Sequence, residues 1–238
     1  MTTVDDLKIK VFADGADLVG IAALASNPYV RGFTTNPTLM RQAGIADYGQ
    51  FAREVLEVVG KLPISFEVFS DDFKEMEKQA LEISTWGDNV FVKIPVTNTT
   101  GERSDELIRS LVAAGVHLNV TALFTLEQAA WVAEILAGGP TSNISIFAGR
   151  IADAGVDPVP IMRDAVSLLE PHPEIELIWA SPREVLNIVQ ADQIGCHIIT
   201  VTHDLLKKLA SLGKDLTQFS LETVQMFRND AVSAGYSI

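Results

Sequence analysis

The chain has 238 residues, of which 47% are hydrophobic and 21% are charged. Its 18 Lys and Arg residues against 31 Asp and Glu residues give a net charge of −13, which disfavours broad binding to nucleic acid or anionic membranes. The single cysteine excludes an internal disulfide, and no apolar run reaches the roughly 18 residues of a transmembrane helix. We therefore expect a soluble, cytoplasmic protein with one domain over residues 1–238 and no signal peptide in residues 1–11.

Short β-rich runs recur along the chain, with starts 20 to 33 residues apart, and segments with helical periodicity follow them. The predicted strands are residues 10–15, 32–37, 63–69, 90–96, 117–123, 143–149, 176–181 and 196–202. The predicted helices include residues 51–59, 73–84, 107–114, 126–136, 161–169, 182–191 and 205–212. Strands that alternate with helices imply a parallel sheet, and eight such units in about 240 residues match a single (β/α)8 barrel, or TIM barrel.

The alternative architecture is an open, doubly wound sheet. That fold usually carries a glycine-rich phosphate turn after an early strand, and the sequence has none. Pro182 suits the first turn of the helix after the seventh strand. Residues 219–238 follow the eighth unit as a C-terminal helical extension, which we expect to pack on the barrel or on a neighbouring subunit of a homo-oligomer. The apolar positions that suggest this helix are Leu221, Val224, Met226 and Phe227.

Polar residues stand near the carboxyl ends of most predicted strands, which is where the active sites of such barrels lie. Lys93 is the sharpest case, because apolar residues flank it and it is the only lysine between Lys78 and Lys207. A lone strand lysine commonly forms an ion pair, here with Glu67 on the preceding strand. The alternative is a desolvated amine that attacks a carbonyl group. The residues alone leave both explanations open.

Two pairs of residues, each two positions apart, add to this pattern. Asn119 and Thr121 point to one side of the fifth predicted strand, and Ser145 and Phe147 point to one side of the sixth. Strand-end hydrogen bonds and core packing are the ordinary explanations for each residue alone. Their coincidence on adjacent strands favours a shared site in the barrel.

Two arginines follow the sixth and seventh predicted strands. Arg150 and Arg183 lie where many barrels bind phosphate, and a planar guanidinium suits that anion. Surface ion pairs with Asp153 and Glu184 explain the two arginines equally well. The four histidines and Cys196 lack metal-ligand spacing, so we expect no metal and no other cofactor.

Four segments together resemble the transaldolase family, which includes the small transaldolases and the fructose-6-phosphate aldolases. They are GFTTNPTLM at residues 32–40, VKIPVT at 92–97, HLNVTALFTLEQA at 117–129 and IFAGRI at 146–151. The resemblance runs from the first to the eighth predicted strand in the expected order. TTNP combined with a strand-4 lysine and NxTxxF in strand 5 is specific, whereas no single motif would be.

The resemblance implies a class I, Schiff-base mechanism without a metal, in which a ketose phosphate such as fructose 6-phosphate donates a dihydroxyacetone unit. Lys93 would form the iminium, and Asp14 would take the proton of the C4 hydroxyl. Glu67 and Thr121 would hold the water that shuttles protons. The residues that match sugar or phosphate ligands of the family are Asn36, Asn119, Ser145, Arg150, Ser181 and Arg183. The last two match less closely, because Pro182 breaks the usual Ser-Phe-Arg/Lys spelling.

Two positions separate the activities of the family. The aldolases usually carry glutamine where Glu67 stands and tyrosine where Phe147 stands, so the resemblance favours transfer to an aldose phosphate. Aldolase-type cleavage and a ketose with another anion at C6 are the alternatives, because the chain is shorter than the large transaldolases and its strand-7 motif is altered. A sugar-phosphate binder without activity is the least favoured interpretation, since Asp14, Glu67 and Lys93 are intact.

Overall fold

A computed structural model describes residues 3–237, so the predicted domain extends beyond the described residues by Met1, Thr2 and Ile238. Its parallel strands form one closed barrel in which each strand pairs with the next and β8 pairs with β1. This confirms the predicted TIM barrel, and the doubly wound alternative is wrong. The strands are β1 Lys10–Asp14, β2 Val30–Thr34, β3 Ile64–Glu67, β4 Val90–Pro95, β5 Leu118–Leu123, β6 Ser142–Ile146, β7 Ile175–Trp179 and β8 Ile198–Thr202.

Helices surround the barrel and connect its strands. They are α1 Leu18–Ala25, α2 Pro37–Gln42, α3 Tyr48–Val59, α4 Phe73–Ser84, α5 Asp105–Ala113, α6 Leu126–Leu136, α7 Ala148–Asp153, α8 Pro158–Leu169, α9 Val185–Gln193, α10 His203–Lys208 and α11 Leu216–Ser233. Asp17, Asp47 and Asp72 accept hydrogen bonds from backbone N–H groups in the first turns of α1, α3 and α4, which stabilises those helix ends. No helix within residues 3–237 is both long and apolar enough to cross a membrane.

The inside of the barrel changes from apolar to polar toward the carboxyl ends of the strands. Inside the barrel, Phe12, Ile178, Ala180 and Ile198 form a small apolar cluster. Since side chains alternate along a strand, the residues two positions beyond Phe12 and Ile198 face the same interior. Those positions hold Asp14 and Thr200, which begin a polar layer above the apolar one.

Two predicted strands end three residues earlier than the sequence suggested. β2 ends at Thr34, because the Asn36 side chain accepts the N–H of Leu39 at 3.0 Å and starts α2. β6 ends at Ile146, and α7 begins at Ala148. Phe147 therefore lies between a strand and a helix, so its predicted place on the sixth strand is wrong, although it does pack against the interior cluster as expected.

The segment after β7 also differs from the prediction. α9 begins at Val185, so Pro182 lies before the helix and not in its first turn. The Asn187 side chain accepts the backbone N–H groups of Arg183 and Glu184 at 2.8 and 3.2 Å, which stabilises the helix start three residues later than expected.

The C-terminal helix is confirmed, with bounds Leu216–Ser233. Packing of this helix on the barrel is not confirmed, because none of the residues described for α11 is buried. Val224 and Phe227 are 62% and 63% exposed, so the apolar face is left open to solvent. Packing of this helix on a neighbouring subunit stays a prediction.

Candidate active site

A cavity of about 460 Å³ opens at the carboxyl ends of the strands. Ten of the eleven residues predicted from the sequence line it, and they come from several strands, from loops and from the start of α7. They are Asp14, Asn36, Glu67, Lys93, Asn119, Thr121, Ser145, Phe147, Arg150 and Ser181. Arg183 is the exception among the eleven.

The Lys93 amine is held in place by two oxygen atoms. Its Nζ lies 3.0 Å from Glu67 Oε2 and donates to the carbonyl oxygen of Thr35 at 2.9 Å. Its side chain is only 8% exposed, and its strand neighbours Val92 and Ile94 are fully buried. The ion pair considered from the sequence is therefore present, and it holds the amine at the cavity rather than on the outer surface.

A second carboxylate, that of Asp14, lines the same cavity as this pair. Thr34 donates its hydroxyl to Asp14 Oδ1 at 2.8 Å. Burial raises the pKa of Asp14, although the nearby charge of Lys93 and the Thr34 hydrogen bond act in the opposite direction. Asp14 therefore accepts a proton more readily than an ordinary aspartate, which suits a general base.

A chain of buried hydrogen bonds fixes the amide of Asn119. Ser145 donates to Asn119 Oδ1 at 2.7 Å, and Asn119 Nδ2 donates to Ser65 Oγ at 3.0 Å. Both partners are serine hydroxyls, which can donate or accept, so the oxygen and the nitrogen of the buried amide each have a hydrogen-bond partner. Ser65 was missed in the sequence, although its position two residues before Glu67 on a predicted strand could have indicated it.

The Thr121 hydroxyl is buried and has no hydrogen-bond partner among the described residues. A buried hydroxyl without a partner costs free energy, so an occupant of the cavity that binds it would be favoured. The next residue, Ala122, has a φ of +64°. The pairing of β5 with β6 shifts register at this point, so the strand end bends beside the cavity.

The two arginines have different surroundings. Arg150, in the first turn of α7, lines the cavity with its guanidinium carbon 5.3 Å from the centre of the Phe147 ring. Arg183 instead binds Asp153, with Nε 2.9 Å from Oδ1, and its Nη1 donates to the Ser181 hydroxyl at 3.0 Å. The surface ion pair considered from the sequence is thus present for Arg183, whereas Arg150 faces the cavity.

Arg150 is positioned at the cavity by a close approach between the backbone of Gly149 and the backbone that follows β7. A Cβ atom on Gly149 would lie 1.6 Å from the carbonyl oxygen of Ser181, so only glycine fits. The Gly149 N–H also donates to the Ala180 carbonyl at 3.3 Å, which joins the start of α7 to the end of β7. Further polar residues that line the cavity were missed in the sequence, namely Thr38, Gln42 and Thr200.

The family model described as Transaldolase/Fructose-6-phosphate aldolase matches residues 11–238. The chain belongs to this family. It is similar to the "Probable transaldolase" of Dehalococcoides mccartyi, with 36% identity over 202 residues that cover 84% of this chain and 90% of that one. It is 32% identical to the "Probable transaldolase" of Thermoanaerobacter sp. over 231 residues, which cover 97% of this chain and 100% of the relative. The resemblance stated from the four motifs is confirmed, and the protein is an enzyme of this family.

More distant solved structures share the fold alone. An N-acetylmannosamine-6-phosphate 2-epimerase from Clostridium perfringens superposes with a TM-score of 0.55 at 14% identity, over 87% of this chain and 93% of that one. A dihydrodipicolinate synthase from Rhodopseudomonas palustris gives a TM-score of 0.58 at 12% identity, over 97% of this chain and 81% of that one. Both agree with the closed barrel.

Proposed function

We propose that this enzyme is a class I transaldolase that transfers a dihydroxyacetone unit from a ketose phosphate to an aldose phosphate. The observation that carries the proposal is the position of the Lys93 amine, buried at the cavity and 3.0 Å from the Glu67 carboxylate. Asp14, with its raised pKa, lines the same cavity as a proton acceptor. An amine nucleophile with two separate carboxylates supplies what Schiff-base chemistry needs.

In the proposed reaction, the Lys93 amine gives up a proton and attacks the ketone carbon C2 of the donor. Loss of the C2 oxygen as water leaves an iminium, with Glu67 and the Thr121 hydroxyl holding the water that carries protons. Asp14 then removes the C4 hydroxyl proton and the C3–C4 bond breaks, which releases C4 to C6 as an aldose phosphate while the electron pair of the bond moves into the iminium to give an enamine. Attack of the enamine on an acceptor aldehyde and hydrolysis of the new iminium complete the transfer.

Three amide and hydroxyl groups are proposed to bind the dihydroxyacetone unit. Asn36 uses its Oδ1 to cap α2, which leaves its amide N–H groups for a substrate hydroxyl. Asn119 and Ser145 are already bonded to each other, so they would meet the substrate without reorganisation. Preorganised polar groups of this kind favour the bound geometry of the reacting carbon atoms.

Arg150→Ala is expected to raise the KM for a phosphorylated ketose by roughly 10- to 150-fold, the value of one charge-assisted contact. Arg183→Ala is the matched control and should have a smaller effect, because the Arg183 guanidinium is bound to Asp153. The KM of both variants would be measured with fructose 6-phosphate and with an unphosphorylated ketose. Equal effects of Arg150→Ala on both sugars would mean that Arg150 does not bind the phosphate.

The choice between transfer and cleavage is tested with fructose 6-phosphate alone and with erythrose 4-phosphate added. Free dihydroxyacetone forms only when the enamine takes a proton, and the Phe147 ring, which packs 5.8 Å from Phe124, offers no proton donor. Phe147→Tyr should therefore increase free dihydroxyacetone at the expense of sedoheptulose 7-phosphate. If the wild-type protein already releases dihydroxyacetone as fast as it transfers it, the aldolase-type activity is the correct one.

The homo-oligomer is proposed from the exposed apolar face of α11. Leu216, Val224 and Phe227 are 78%, 62% and 63% exposed, which is unusual for three large apolar residues on one helix. A second copy of this chain that covers this helix would bury them. Light scattering should then give a mass above the 25.8 kDa of one chain, and Phe227→Glu should lower it.

A further inference from the structure

The end of β3 lacks a neighbouring strand on one side. In the described residues, β2 pairs with β3 only as far as Thr34 and Ser65, because the chain then turns into α2. On the other side β4 continues, and the Val68 N–H donates to the Lys93 carbonyl at 3.2 Å. Backbone groups alternate between the two sides of a strand, so the N–H and carbonyl of Glu67 point to the side that β2 has left.

A single side chain occupies the position of the missing strand. The Tyr48 hydroxyl donates to the Glu67 carbonyl at 2.9 Å and accepts the Glu67 N–H at 2.8 Å. One phenol thus supplies both the donor and the acceptor that a neighbouring strand would supply. Without it, both backbone groups would be left unpaired in a partly buried place, which is unfavourable.

Tyr48 is itself held rigidly. It is the first residue of α3, whose amino-terminal end Asp47 caps. Its ring packs edge-on against Phe66 and Trp86, with centroid distances of 6.1 and 5.5 Å. Burial raises the pKa of Tyr48, so its hydroxyl keeps the proton that it donates at neutral pH.

We propose that Tyr48 is a positioning residue that fixes the end of β3 and thereby aims the Glu67 carboxylate at the Lys93 amine. The proposal rests on the proposed function, in which Glu67 acts in the water-dependent steps. Glu67 and Lys93 are direct partners in the β3–β4 register, so a shift of the Glu67 backbone moves its carboxylate relative to Nζ. Formation and hydrolysis of the iminium should therefore depend on Tyr48, whereas donor binding should not.

The test is Tyr48→Phe, which removes only the hydroxyl. We expect kcat to fall about 10- to 100-fold, with the rate of borohydride-trapped iminium formation falling equally and the KM for fructose 6-phosphate changing less than about threefold. Tyr29→Phe is the control, because Tyr29 is 44% exposed and its hydroxyl bonds to Asp5, outside the cavity. Its kcat should equal that of the wild type.

A double variant separates positioning from general loss of packing. In a Glu67→Gln background, Tyr48→Phe should reduce kcat by less than about threefold, because the group that it positions has already been removed. Full, multiplicative loss in that background would overturn the proposal, as would a Tyr48→Phe enzyme with wild-type kcat. A wild-type protein without any reducible adduct at Lys93 would overturn the proposed function and this proposal together. An adduct that forms equally fast in both proteins would overturn only the role of Tyr48.

Amide hydrogen exchange tests the contact between Tyr48 and Glu67 in the wild-type protein, without any variant. The Glu67 amide of the wild-type protein should exchange slowly, because the Tyr48 oxygen accepts its N–H. Exchange at the rate of an unbonded amide would contradict the proposed contact, and slow exchange supports it.

Discussion

Lys93→Arg is expected to abolish transfer while the protein stays folded. A guanidinium remains protonated at any pH at which the protein is stable, so it cannot attack a ketone. The positive charge is retained opposite Glu67 Oε2, which lies 3.0 Å from Nζ in the wild type, so the carboxylate is not left without a partner. Loss of the nucleophile removes the covalent route altogether, and residual activity should lie at or below detection.

Borohydride reduction in the presence of fructose 6-phosphate checks this directly. The wild-type enzyme should be inactivated and should carry a dihydroxyacetone-derived adduct on Lys93, located by peptide mass spectrometry. Lys78→Arg is the matched control, since Lys78 is an exposed lysine that pairs with Glu75 on α4. It should keep full activity and form the adduct. An adduct on another lysine, or a Lys93→Arg enzyme that still transfers, would contradict the Schiff-base proposal.

The barrel and most of the candidate site were predictable because both depend on period-two alternation along strands. The polar residues of β4 and β5 stand out against Val, Ile and Leu, so Lys93, Asn119 and Thr121 could be chosen as site candidates from the sequence. The sequence also put Ser145 on the strand next to that of Asn119, and in the structure a 2.7 Å hydrogen bond joins the two side chains. The periodicity of apolar residues was therefore enough to predict the barrel strands and the polar positions on them.

The remaining features depend on contacts between segments that are distant in the chain. Arg183 could not be separated from Arg150 by sequence, because its ion pair with Asp153 joins the segments after β6 and β7. Tyr48 was missed because its role arises only where β2 leaves the sheet and exposes the backbone of Glu67. What covers α11 could not be chosen between the barrel and a neighbouring subunit, because helical periodicity shows an apolar face but not its partner; none of the residues described for this helix is buried.

Asp14→Asn is expected to lower kcat by about 10²- to 10⁴-fold, the usual contribution of a general base. Asparagine keeps an Oδ1 atom that accepts the Thr34 hydroxyl, which lies 2.8 Å away in the wild type, so the local geometry should persist. It cannot take the C4 hydroxyl proton, and carbon–carbon cleavage should become rate-limiting. Iminium formation with Lys93 precedes that step, so borohydride should still trap the donor on the variant.

The same substitution should stabilise the protein at neutral pH. Burial raises the pKa of Asp14 above its usual value of 3.8, so the folded state binds this proton more tightly than the unfolded state does. The stability linked to that proton is present below the unfolded pKa and is lost as the pH rises through the folded pKa. An asparagine at position 14 stays neutral at every pH, so the variant does not lose this stability. The free energy of unfolding of Asp14→Asn should therefore exceed that of the wild type near neutral pH, and the difference should shrink toward about pH 4.

Urea denaturation at several pH values, with Asp88→Asn in the exposed turn before β4 as a control, measures this difference. The control variant should follow the wild-type pH dependence, because Asp88 lies outside the cavity. If Asp14→Asn is more stable but less active than the wild type, the Asp14 carboxylate is retained for the reaction at a cost to the stability of the fold. An Asp14→Asn protein that is less stable than the wild type near neutral pH, or that transfers at the wild-type rate, would show that Asp14 serves the fold rather than the reaction.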